Sequence, residues 1–389
     1  MDFSISEEAR LILQTVSRFV AEELQPLEVE IDRTGIMPPE TAKAVFEKSR
    51  ALGLYGMNMP VEFGGAGLNA VDMCLIEEQI GQTSDILVRR AFGDIYEILL
   101  ACEGPQIDRW LKPAVSGERI SSLAITEPEA GSDAAGIKTR AVREGDGWRL
   151  NGHKHFISDG GISDFFIVSA VTDPDAGARG ISIFLVDGDS PGFTVGRDQP
   201  MMGLRGTTHV ELFFEDIKLG PENLLGPEGR GLNLALETLG RIRLAHIGAR
   251  SIGMASRVLD LMIEHARDRR QFGQPIGDFQ MIQTMLADSA LEINAARHTI
   301  LDTAWQIDQG RDPREKISMS KIFGPETFCR VADRAVQVFG GLGFCKDLPI
   351  ERFYRDSRIT RIYDGTSEIH RMVIARSLLK NGADFMAPL

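Results

Sequence analysis

The hydrophobic period changes twice along these 389 residues, and that double switch restricts the fold more than any other feature. Up to about residue 118 apolar side chains recur every three or four positions. Leu11, Leu13, Val16, Phe19, Val20 and Leu24 mark a first helix. Ser4 and Glu7 have the spacing of a capping box, and Pro26 is expected to end that helix. Two further helices are expected over 40–50 and 71–81, with the glycine-rich turn 59–67 between them. From about residue 120 to 229 the period falls to two. Phe165–Val171, 181–186 and 210–214 are short apolar runs between Gly, Pro and Asp turns, and Gly145-Asp146-Gly147 reads as a hairpin turn. Strands so closely spaced, with no helix between them, predict an antiparallel barrel or sandwich rather than a doubly wound sheet. Beyond Gly231 the helical period returns over 232–266, 280–309, 314–339 and 367–379, which predicts a four-helix bundle. The expected architecture is α+β in three domains: 1–119 helical, 120–229 β, and 230–389 helical.

Composition narrows the function. A net charge of −13 disfavours nucleic acid or an anionic membrane as the main partner. The four cysteines form no CxxC pair and no His cluster has metal-ligand spacing, so no metal site is expected. No apolar run approaches a bilayer span and MDFSISEEAR lacks signal-peptide character, so a soluble, cytoplasmic protein is expected.

Five segments carry chemistry. ITEPEAGSD (125–133) offers hydroxyls and backbone donors beside a glycine, or is a plain capped loop. HFISDGG (155–161) sets an aromatic ring two residues before a hydroxyl, or simply ends a half-buried strand. RDRRQFG (267–273) puts cations at a helix end, where they also stabilise the dipole. QVFGGLGF (337–344) is a helix end with a glycine turn. It is no GxGxxG fingerprint, and no such fingerprint follows a strand anywhere, which argues against a Rossmann nicotinamide site. RIYDGTSEIHR (361–371) places Asp364 on a loop just before the last helix, where a carboxylate can act as general base. Thr366 or Ser367 can cap that helix.

Taken in this order, the segments resemble the successive motifs of the FAD-dependent acyl-CoA dehydrogenase family over nearly the whole chain. The resemblance implies an N-terminal helical domain, a middle β domain and a C-terminal four-helix bundle. It implies that Thr126, Ser132, Phe156 and Ser158 contact the ring and near phosphates of FAD. Arg269, Gln271 and Phe272, with Gln337, Gly340 and Gly341, would hold its pyrophosphate and adenine across a subunit interface, with Gly365, Thr366 and Glu368 touching the adenosine half. Substrate contacts fall to Ser132, Tyr363, Asp364, Gly365, Arg243, Arg376 and Asp94. The partners implied are an acyl-CoA, an electron-transfer flavoprotein and further copies of the chain, typically as a homotetramer serving fatty acid or acyl-CoA catabolism.

Two departures stand out. Most relatives carry Glu where this chain has Asp364, shorter by one carbon–carbon bond. The alternative base position, directly before an Arg on the helix after the β domain, is Gly240 or Ile242 here. That stretch is out of register with the usual pattern, leaving Arg241 and Arg243 both open as the substrate-side Arg. Second, Asp94 falls in 93–97, whose counterpart lines the acyl pocket; a solvent-facing helix carboxylate is the plainer expectation. Asp also serves as base in relatives resembling nitroalkane oxidase, and a silent flavin-binding relative is the third reading. Retention of GTSEI after Asp364 favours the acyl-CoA reading.

Overall fold

The computed structural model describes residues 5–386. The first helix, α1 (Glu7–Phe19), is capped by Ser6, whose hydroxyl accepts from the Ala9 N–H at 3.0 Å. The expected cap, Ser4, lies outside the described residues. The helix does not stop before Pro26 but changes its winding. A π turn over Val20–Leu24 passes to a 3-10 turn over Gln25–Leu27, and α2 (Glu28–Thr34) follows. Pro26 falls in the first turn of the 3-10 segment, where its missing N–H costs nothing. Four more helices complete this domain: α3 (Pro39–Ala51), α4 (Ala70–Ile80), α5 (Asp85–Phe92) and α6 (Lys112–Ser116). They close over Val16, Phe19, Leu24, Ile76 and Leu87. Burying each such side chain stabilises by about 1.5–3 kcal/mol.

Eight strands form the middle sheet: β1 (Ser121–Ala124), β2 (Arg140–Glu144), β3 (Gly147–Ser158), β4 (Phe165–Val171), β5 (Ile181–Asp187), β6 (Phe193–Asp198), β7 (His209–Leu219) and β8 (Leu224–Leu225). Their order is β6-β7-β3-β2-β4-β5-β8, with β1 beside β4. Glu144 pairs with Gly147, so Gly145-Asp146 is the two-residue turn the sequence predicts. The sheet departs from pure antiparallel pairing, since β1 and β2 both run parallel to β4. The long connection from β1 to β4, with the β2–β3 hairpin inside it, makes that parallel crossover possible.

The last domain opens with α7 (Gly231–Ile242), which runs through a π segment (Arg243–Ala249) into α8 (Arg250–Asp268). A two-stranded hairpin, β9 (Arg270–Gln271) and β10 (Gln274–Pro275), leads to α9 (Gln280–Asp308), α10 (Arg314–Phe339), α11 (Ile350–Ile359) and α12 (Ser367–Asn381). Ile252, Val258, Met262, Ala296, Phe328 and Phe353 lie in its core. The helical domains meet where α4 crosses α8. A Cβ on Gly253 would sit 1.9 Å from the Glu78 carbonyl oxygen, so only glycine permits this approach. Arg297 reinforces the seam with a bidentate pair to Glu78. No described helix is long and apolar enough to cross a membrane.

Candidate active site

Asp364 sits on the turn between α11 and α12, at φ +51°. A non-glycine residue in that region is uncommon and clusters at functional sites. The turn is held from several sides. Ile362 and Tyr363 donate their N–H groups back to the Ile359 carbonyl, and Ser367 N–H reaches the Arg361 carbonyl at 3.1 Å. Thr366 caps α12 by accepting from Ile369 N–H. His370 lies beneath, 3.3 Å from the Asp364 carbonyl oxygen through Nε2 and 3.0 Å from the Ser318 hydroxyl through Nδ1. A carbonyl only accepts, so Nε2 carries the proton and the Ser318 hydroxyl donates to Nδ1. Burial, and then Arg243, press the His370 pKa down to about 4, so the ring stays neutral. Gly365, at φ +92°, must lack a side chain, because a Cβ would lie 2.9 Å from His370 Nε2.

Burial raises the Asp364 pKa above the usual carboxylate range. Arg243 and Lys321 pull it back, and Asp94 pushes it up. Lys321 is fully buried, one helical turn from Ser318 on α10. Its Nζ donates to the Thr360 carbonyl at 2.5 Å and stands 5.5 Å from the centre of the Tyr363 ring. Burial lowers this ammonium to about 8. Arg241 and Arg243, both open in the sequence, have different surroundings. Arg241 is exposed, whereas Arg243 is partly buried, its charge acts on Asp364, and its Nε is buried without a hydrogen bond. The π winding of 243–249 inserts a residue relative to α-helix. Among backbone carbonyls of the described residues none takes the Asp364 N–H.

Asp94 is no solvent-facing carboxylate. It is clamped by Arg89, which also pairs with Asp85 at 2.7 Å and Asp159 at 3.5 Å, and it accepts from the Tyr96 hydroxyl at 3.2 Å. Burial acts to raise its pKa, but Arg89, His246 and Arg250 outweigh that and hold it low. Arg90 grips Asp159 with both Nη atoms, at 3.1 and 2.7 Å. His246, on the π segment, lies 3.1 Å from Glu77. Sequence reading missed Arg89, Arg90, His246, Lys321 and His370. The one available signal was the adjacent cation pair inside the otherwise apolar DILVRRAF.

The residues expected around FAD fall into two sets. Phe156 stands at φ +59°, 49% exposed, stacked on His155 at 3.9 Å. His155 N–H reaches the Thr126 carbonyl, and the Ser122 hydroxyl reaches the Ser158 carbonyl, so Thr126, Phe156 and Ser158 share one locus. Ser132 is exposed on the adjoining loop. Glu127, overlooked in the sequence, anchors that loop. Its carboxylate takes the N–H groups of Lys138 and Thr139 and pairs with the buried Lys154 at 2.8 Å. In the second set, Arg269, Gln271 and Phe272 lie on and beside the β9–β10 hairpin, with Phe272 94% exposed at φ +51°. Gln337, Gly340 and Gly341 end α10, and His265 stacked on Phe339 at 4.1 Å joins the two segments. Glu368 and Arg376 are exposed on α12. Among the described residues no hydrogen bond or ion pair links Arg376 to the Asp364 cluster, or the second set to the first.

The chain matches three family models in succession: acyl-CoA dehydrogenase N-terminal domain over residues 6–118, middle domain over 122–217 and C-terminal domain over 229–379. The chain belongs to the acyl-CoA dehydrogenase family. It is similar to the "Probable acyl-CoA dehydrogenase FadE25" of Mycobacterium tuberculosis, with 38% identity over 97% of each chain. Cyclohexane-1-carbonyl-CoA dehydrogenase of Geobacter metallireducens is 36% identical over 98% of this chain and 100% of its own. The structure of an FAD complex of PigA superposes with a TM-score of 0.90, at 30% identity over 97% and 99% of the two chains. The dehydrogenase is an FAD-dependent oxidoreductase acting on CoA thioesters. Its residues fit that cofactor. Among the described residues Thr208 Oγ1 and His155 Nε2 are buried without a hydrogen bond beside the FISDGG strand end. Around Gly131, Gly340 and Gly341 a Cβ would meet nothing within 4 Å, leaving bare backbone for a phosphate or ring to approach.

Proposed function

We propose that the dehydrogenase removes the α and β hydrogens of an acyl-CoA to give the 2,3-enoyl-CoA, with Asp364 as the α-proton acceptor. The observation that carries this reading is the Asp364 turn. A carboxylate made more basic by burial is fixed in left-handed backbone, with an untaken N–H of its own beside it. That N–H can polarise the thioester carbonyl as the α proton leaves. Tyr363 and Arg243 flank the carboxylate on the substrate side, and Lys321 limits how far its pKa climbs. FAD, when bound, supplies the acceptor for the β hydride. Thr126, Ser132, Phe156 and Ser158 would hold its ring side. Arg269, Gln271, Phe272, Gln337, Gly340, Gly341, Thr366 and Glu368 would hold the remainder, in a homo-oligomer where the exposed second set meets another copy. Electrons then pass to an electron-transfer flavoprotein. Anaerobic titration of the yellow protein with a panel of acyl-CoAs, following flavin bleaching, tests the reaction. No bleaching by any of them would refute it.

Arg269→Ala is expected to weaken FAD retention by about 1.5–3 kcal/mol through loss of a charge-assisted phosphate contact. Equilibrium dialysis of the flavin measures it; unchanged retention would remove Arg269 from the site.

The short base points to substrate shape. An Asp sets its carboxylate about 1.5 Å back from where Glu would put it, leaving room for a substituted α carbon. The likeness to cyclohexane-1-carbonyl-CoA dehydrogenase supports a branched or cyclic acyl group. Asp364→Glu is therefore expected to lower flavin reduction by such acyl-CoAs on the order of a hundredfold, while holding or raising it for straight chains. Stopped-flow reduction by paired straight and cyclic substrates decides, and equal losses on both would refute the shape argument.

A further inference from the structure

The 93–97 segment carries chemistry that a plain alkyl chain does not use. A cavity of about 250 Å³ opens between α3, α5 and the start of β1, and both Tyr55 and Asp94 line it. Gly93, at φ +80°, lets the Tyr55 ring close on the backbone next to Asp94. A Cβ there would come within 2.9 Å of the ring and 3.2 Å of its hydroxyl. Asp94 commits only one oxygen. Oδ2 accepts from Arg89 and from the Tyr96 hydroxyl, while Oδ1 accepts no hydrogen bond among the described residues. The Tyr55 hydroxyl likewise has none, and burial pushes its pKa up to about 12, so it keeps its proton to donate. Burial raises the Asp364 pKa, and the charge of Asp94 in this wall adds to that rise.

The guanidiniums that line the cavity are already engaged, and Lys43 at its rim pairs with Glu47 at 3.8 Å in solvent. Arg90 is taken by Asp159 and Arg119 by Asp187 at 2.6 Å. An anionic substituent would find no free guanidinium and would face two carboxylates. An alkyl end would leave the Asp94 oxygen and the Tyr55 hydroxyl unpaired against it. A hydroxyl satisfies both at once, donating to Asp94 Oδ1 and accepting from Tyr55.

We infer that this cavity selects an acyl group bearing a hydroxyl beyond its β carbon, with Asp94 as acceptor and Tyr55 as donor. The inference rests on the α,β-dehydrogenation proposed above. The test is anaerobic flavin reduction of the FAD-loaded enzyme by a straight-chain or cyclic acyl-CoA and by its γ-, δ- and ε-hydroxy derivatives. At least one hydroxylated member should exceed its parent in kcat/KM by about tenfold or more, since a site built to pair a substrate hydroxyl discriminates strongly against the analogue lacking it. Tyr55→Phe, which deletes a single oxygen, and Asp94→Asn should each shrink that ratio several-fold. A merely structural role would lower both rates and leave their ratio intact. Parents reacting as fast as every hydroxylated derivative would overturn the inference, as would a preference that survives both substitutions. Flavin that no acyl-CoA reduces would instead overturn the dehydrogenation reading, and the two failures are told apart by whether any bleaching occurs.

Discussion

Asp364→Asn is expected to bind acyl-CoA yet reduce its flavin 10²–10⁴ times more slowly, the usual contribution of a positioned general base. Asn keeps the size of the side chain and tolerates left-handed backbone, so the turn survives. It leaves His370 on the residue-364 carbonyl and the N–H free to meet the thioester. Only the proton acceptor is lost, so the deficit falls on reduction and not on binding. In the wild type, burial raises the Asp364 pKa, so reduction should climb with pH over a range above that of an ordinary carboxylate. The Asn variant should lose that limb. Rapid-mixing reduction across pH, with substrate binding followed separately by flavin spectral shift, measures both. Full-speed reduction by the Asn variant would move the base elsewhere, and Asp94, whose charge acts on this turn, is the first carboxylate to test.

The parts of the fold that were legible are those where one face decides everything. The strand Phe165–Val171 and the helix Arg314–Phe339 coincide with their expected limits, because turn residues stop both and the helical period carries on past Pro325. Helix α11 was not legible. Its sequence, IERFYRDSRI, is polar enough to pass for a loop, yet it buries Arg352, Asp356 and Ser357. The helix expected over 232–266 is present, but its π winding at 243–249 leaves no mark in the apolar period, and the parallel β1–β4 pairing depends on a crossover that strand patterns do not encode. At the site, Asp364 was visible because a carboxylate at a glycine turn is unusual. Asp94 looked solvent-facing because burial of a charge depends on partners far along the chain or on another helix face. Lys321, His370 and His246 were silent for the same reason. A buried Lys or His is indistinguishable in one sequence from an exposed one until the groups across from it are known.

Glu28 shows how strongly such partners bind the fold around the site. It is buried at the start of α2, a position the sequence marks only as another acidic residue near Pro26. Arg257 of α8 pairs with it at 2.7 Å, Arg352 of α11 at 3.1 Å, and the Thr83 hydroxyl donates to it at 2.8 Å. Burial acts to raise its pKa, but Arg352 and Arg257 win and hold it below the usual value. The stabilisation is therefore present above the unfolded value near 4.5 and is lost as pH falls through the lower folded one. Arg352 already has a buried Nε without a hydrogen bond, so this ion pair is its main compensation. Glu28→Ala would leave the buried Arg352 and the half-buried Arg257 without the carboxylate they share. Removing one partner of such a buried cluster costs about 3–5 kcal/mol. The loss should also loosen the seam between α2, α8 and α11, the last of which leads directly into the Asp364 turn. Thermal unfolding of the FAD-loaded variant should shift down by several degrees at neutral pH. The gap from wild type should close as acid removes the wild-type charge. Glu30→Ala serves as the control on the same helix, since its pair with Arg33 is solvent-exposed and should leave the transition where it is. A Glu28→Ala transition indistinguishable from that control would show that the Glu28 cluster adds nothing to the seam between α2, α8 and α11.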